Sequence, residues 1–93
     1  MVVGIAEIRL LLPGPRSLKE KRRIVRSLLD RIRARYHVAV AEVGEQELWN
    51  RATVGVACVS NETAHVHQIL GHVLQFVESV GDVEIEDVEV RLA

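Results

Sequence analysis

The sequence has little of several things, and each shortage narrows the reading. It has one cysteine, Cys58, which excludes an internal disulfide and any multi-cysteine zinc site. It has three aromatic residues, Tyr36, Trp49 and Phe76, too few for the stacking platforms of single-strand nucleic-acid binders. No stretch approaches the roughly 18 consecutive apolar residues of a membrane span, so no membrane partner is expected. The start, Met1-Val2-Val3-Gly4, lacks the basic residues of a secretory signal, and Glu7 and Arg9 interrupt the apolar run behind it. A cytoplasmic location is expected. Glutamine, asparagine, methionine and cysteine are sparse and arginine far exceeds lysine, a composition compatible with a thermophile. There is no phosphate-binding glycine loop, no dinucleotide fingerprint, no H-E-x-x-H and no EF-hand pattern.

What is present fits one domain. The chain has 93 residues and is 48% hydrophobic, mostly Val, Leu, Ile and Ala, enough for one core and no more. The net charge of −1 conceals a polarity. Residues 16–35 hold nine of the twelve basic groups against Glu20 and Asp30, a local net of +7. Residues 78–93 hold six acids against Arg91, a local net of −5.

The periodicities give six elements. Residues 2–12 alternate as a strand, with Ala6, Ile8, Leu10 and Leu12 on one face. Pro13-Gly14-Pro15 breaks the chain. Ser17-Leu18-Lys19-Glu20 is a capping-box pattern that starts a helix running to Tyr36. Its apolar arc is Leu18, Ile24, Val25, Leu28, Leu29, Ile32 and Tyr36. Lys21 falls inside that arc and is expected to snorkel. Strands are expected over residues 37–43 and 51–59, joined by a polar connection carrying Trp49. Ser60 or Asn61 caps a second helix over residues 62–80, with Gly81 as its stop. In the last strand, residues 82–92, the apolar phase slips near Glu86-Asp87, which a β-bulge would repair. The order β-α-β-β-α-β predicts an α+β, ferredoxin-like sandwich: a four-stranded antiparallel sheet with two helices on one face. Val3, Ile5 and Leu11 then make the other face of the first strand partly apolar. Self-association through that open face, as a homodimer, is one reading, and partial exposure is the other.

The first helix carries the main functional candidate. Lys19, Arg22, Arg23, Arg26 and Arg33 fall on one side, opposite the apolar arc, with Asp30 among them. From Arg22 to Arg33 the stripe runs about 16 Å along the axis, the length of several phosphates. The pattern reads as an electrostatic footprint for structured RNA or as a solvated helix face. Arg16 and Ser17, at the helix start, are a weaker candidate for holding a single anion, as in small ferredoxin-like phosphatases; the two prolines there remove donors. The histidines give no metal site: His65 and His72 project to one flank of the second helix and His67 to the other. Cys58 reads as a small core residue and Trp49 as a packing plug or an interface anchor. No acid is paired with a base or nucleophile at a diagnostic spacing, so no cofactor and no catalytic residue are expected.

Residues 17–44, SLKEKRRIVRSLLDRIRARYHVAVAEVG, and 48–62, LWNRATVGVACVSNE, resemble the YlxP-like bacterial family, a domain of unknown function. The resemblance runs along nearly the whole chain. It implies a ferredoxin-like fold and brings no catalytic residue with it. Members of the family often lie beside genes for translation initiation and ribosome maturation factors, which implies a ribosome-associated role. The expectation is a non-enzymatic RNA- or ribosome-binding module, the alternative being a protein-interaction or homo-oligomerisation module using the open sheet face and the Trp49 loop.

Overall fold

The structure is a computed structural model that describes residues 1–93. The elements are β1 (Val2–Leu11), α1 (Leu18–Arg35), β2 (Ala39–Gly44), β3 (Arg51–Ser60), α2 (Thr63–Ser79) and β4 (Glu84–Leu92). They form one antiparallel sheet in the order β2-β3-β1-β4, so β2 and β4 are its edges. The ferredoxin-like arrangement read from the sequence is the arrangement observed.

Strict two-residue alternation sorts the sheet into two faces. One rung on the helix side runs Val40–Val56–Ala6–Val90, and the next runs Glu42–Val54–Ile8–Val88. Of these, Val40, Val54, Val56, Ala6 and Ile8 join Val25, Leu28 and Ile32 of α1 and Val66, Leu70, Val73 and Val77 of α2 in a single core, with Val88 packed at its margin. On the open side the corresponding rungs are Ala39–Ala57–Ile5–Arg91 and Ala41–Gly55–Glu7–Glu89. α1 lies over β2, whereas α2 lies over β1 and β3 and barely touches β4. α2 sits closely on β1 because Gly4 has no side chain; a β-carbon there would overlap Val66 Cγ1.

The phase slip in the last strand is a bulge. Arg9 pairs with Asp87 and Leu10 with Ile85, leaving Glu86 as the extra residue. A second bulge, at Val43 in β2, gave no such signal in the sequence. Three local expectations are corrected. β2 begins at Ala39 rather than His37. The N-cap position of α2 is Glu62, and Ser60 Oγ accepts from its N–H at 3.2 Å instead of capping the helix directly. α2 ends at an extended Val80, and Gly81 does not adopt the left-handed conformation of a glycine stop. No helix is long and apolar enough to cross a membrane.

Candidate nucleic-acid interface

α1 forms where the sequence places it. Ser17 Oγ accepts from the Glu20 N–H at 3.2 Å, and the Glu20 carboxylate accepts from the Arg16 N–H. That second bond sets a negative charge in the turn where Arg16 and Ser17 would receive an anion, so the cap itself answers the donors there.

The nine basic residues of this region divide by what they touch. Lys19, Arg22, Arg23 and Arg26 line one shallow polar concavity on the outer face of α1, with Ser27, Asp30 and Arg31. All four are exposed, and none of them is ion-paired. Asp30 turns to Arg33, with Oδ1 3.3 Å from Nη1, rather than to the four.

Arg33 lies outside that concavity. Its Nη2 donates to the backbone carbonyl of Val40 at 2.9 Å, folding the side chain over the free edge of β2. It shares a flank with Arg22, Arg26 and Glu42 but serves the sheet as well as the surface. Arg31 and Arg35 lie outside the stripe that the helical spacing picks out. Their guanidinium carbons stand 5.7 and 4.5 Å from the ring centre of Phe76, which tilts against Tyr36 at 6.2 Å. Nothing in the helical spacing of α1 signals the position of a phenylalanine on α2.

Lys21 overturns the snorkelling expectation. It is fully buried, at 0% exposure. Its Nζ donates to the carbonyl oxygen of Glu45 at 2.7 Å and lies 2.7 Å from Glu42 Oε2. The contact with Glu42 is ionic but lacks hydrogen-bond directionality, and Oε2 has no other donor. Glu45 turns its carbonyl inward by adopting φ 62°, the left-handed conformation that non-glycine residues rarely take. The ammonium thereby ties α1 to β2 and to the turn that follows it.

Elsewhere, burial pushes the Cys58 thiol above its ordinary value of 9.0, against a smaller opposing effect from a hydrogen bond to the Gly4 backbone. The buried position agrees with the core reading. The packing reading of Trp49 is corrected: the side chain is 46% exposed beside an equally exposed Leu48 and lies outside the core. On the open sheet face, Ala39, Ala41, Gly55 and Ala57 floor an apolar depression beside Ile5 and Val43.

A family model described as "Protein of unknown function (DUF503)" matches residues 3–90. The chain is 32% identical over 83 residues to the "Uncharacterized protein YlxP" of Bacillus subtilis (strain 168), covering 89% of this chain and 90% of that protein. Among solved structures, the "De novo designed protein Ferredog-Diesel" aligns at 17% identity with a TM-score of 0.48, over 96% of this chain and 83% of that one.

Proposed function

The chain belongs to the DUF503 family of proteins of unknown function, and from that premise we propose that it is a non-enzymatic module that binds structured RNA, free or within a ribosomal particle, through the outer face of α1. One observation carries the reading: Lys19, Arg22, Arg23 and Arg26 stand together, exposed and in no ion pair. Four cations on one helix face, none of them ion-paired and with Asp30 alone among them turned to Arg33, repel one another and are relieved by a polyanion. They suit contacts to phosphates, which fix position without reading sequence. The scarcity of exposed aromatics favours a folded RNA over an unpaired strand.

Binding to structured RNA, measured over a salt series, tests this. Four phosphate contacts give a log-log slope of about −3 to −4. The triple variant Arg22→Glu, Arg23→Glu, Arg26→Glu abolishes binding and leaves the circular-dichroism spectrum unchanged. Arg33 is left intact because reversing it would also disturb β2. Absence of binding at low salt by the folded protein would sink the proposal.

The apolar depression on the open sheet face favours a second reading, a protein-interaction module. Substituting Ala57→Arg at its floor separates the two: RNA binding survives, and partner binding through the sheet does not.

A further inference from the structure

β4 is an edge strand with one side free of any neighbouring strand. Ala93 N–H donates to Val3 O at 2.9 Å, and the register sets those two residues opposite one another. Antiparallel alternation then points the N–H and C=O groups of Asp87, Glu89 and Arg91 towards β1, and those of Val88, Val90 and Leu92 away from the sheet. The same three residues carry apolar side chains on the helix side; Val88 packs partly against the core, and beyond it α2 leaves Val90 and Leu92 uncovered, at 40% and 46% exposure. The Val88 N–H is met locally by Asp87 Oδ1 at 3.0 Å, and at Val90 and Leu92 a free backbone edge and an uncovered apolar row coincide.

The side chains select the occupant. Consider two copies of β4 paired antiparallel about a two-fold axis. Centred on Glu89 or on Arg91, like charges meet at the axis. Centred on Val88, Asp87 meets Glu89. Centred on Val90, every pair is complementary: Val90 meets Val90, Val88 meets Leu92, and Glu89 meets Arg91 twice over. Val88, Val90 and Leu92 then exchange both backbone bonds across the axis, the Val88 N–H leaving Asp87 Oδ1 for the partner's carbonyl. Glu89 and Arg91 fall at the non-hydrogen-bonded positions, where side chains approach most closely. Within one chain these two already face each other, with Arg91 Nη1 3.4 Å from Glu89 Oε1. The six acids of residues 78–93 make the strand appear self-repelling, yet Glu84 and Glu86 fall outside this overlap.

We infer that the protein forms a homodimer by antiparallel pairing of β4 with β4 of a second copy about a two-fold axis at Val90, joining the two sheets into one of eight strands. The axis is perpendicular to the sheet, so both helix layers share a face. Val88, Val90 and Leu92 of the two copies then form a continuous apolar strip between the two α2 helices. The inference is independent of RNA binding.

A charge-swap series in sedimentation velocity, up to millimolar protein, tests it. The wild type is expected to reach twice the 10.4 kDa chain mass. Glu89→Arg alone sets arginine against Arg91, and Arg91→Glu alone sets glutamate against Glu89. Each raises the dimer dissociation constant roughly tenfold or more. The double variant Glu89→Arg, Arg91→Glu restores the pair across the axis and returns the wild-type constant. A wild type that stays monomeric overturns the inference. So does a dimer indifferent to both single changes, which would place the contact on another face, and so does a double variant that fails to recover.

Discussion

The sheet has two free edges, and α1 attends to only one of them. At the β2 edge, Arg33 holds the outward carbonyl of Val40, and Lys21 reaches Glu42 and the carbonyl of Glu45. At the β4 edge only Asp87 Oδ1 answers an outward group, the Val88 N–H at 3.0 Å, and α2 stands back over β1 and β3. Val40 and Val90 make the contrast concrete, because they occupy the two ends of one rung and are 7% and 40% exposed. The basic helix is thus not a single patch. Some of its cations close a sheet edge, two lie over Phe76, and a group of four is left for something outside the molecule.

The largest effect expected is from breaking the closed edge. Lys21→Ala leaves Glu42 half-buried without its partner and lowers the unfolding free energy by about 3–5 kcal/mol in urea titration. Lys21→Met combined with Glu42→Leu recovers most of that loss, because an apolar pair replaces a buried ionic one. A loss below about 1 kcal/mol for Lys21→Ala would mean that the ammonium escapes to water. Next comes the shared rung. Val40→Ala costs about 1.5–2.5 kcal/mol, and Val90→Ala, in dilute protein, less than about 1 kcal/mol. Equal costs would erase the difference between the edges.

Arg33→Ala sharpens the division within α1. It lowers stability by about 1 kcal/mol and speeds amide exchange in β2 while leaving the salt slope of RNA binding unchanged. Arg22→Ala does the reverse: stability holds, and the slope falls by about one. The smallest effect lies on the central strands. The folded-state value of the Cys58 thiol is raised, so the unfolded chain ionises first as pH climbs. The stability held by the neutral thiol is complete below about pH 9 and is lost above it, as pH rises through the folded-state value. Comparing alkaline unfolding curves of the wild type and Cys58→Ala isolates this contribution.

Much of this was legible in the sequence because it is local. Alternation in β1 and β3, the Ser17–Glu20 box and the slip at Glu86 are all written within a few residues of where they act. The roles of Lys21 and Arg33 were not, because each partner is a backbone or carboxylate brought up by the sheet. A signal for Lys21 did exist: it is the one charged residue inside the apolar arc of α1, and Glu42 is a charge at a core-parity position of β2. Two opposite charges in core positions of neighbouring elements are a pair waiting to be matched. Of the stripe read from the sequence, Lys19, Arg22, Arg23 and Arg26 share one concavity, and Arg33 stands apart because spacing on a helix cannot see the strand beneath it.

The extra residue in β4 has a consequence for how this strand tolerates insertion and loss. Ile85 faces the helices, and after Glu86 so do Val88, Val90 and Leu92; removing Glu86 alone would leave that alternation unbroken. Losing one residue anywhere from Val88 onward would instead turn the rest of the strand inside out. The ion pair between Glu86 and Arg51 reaches across β1 and marks the place. A single codon can therefore be lost at this point in the strand without exchanging its wet and dry sides, and β4 carries its own margin for a frame-preserving deletion.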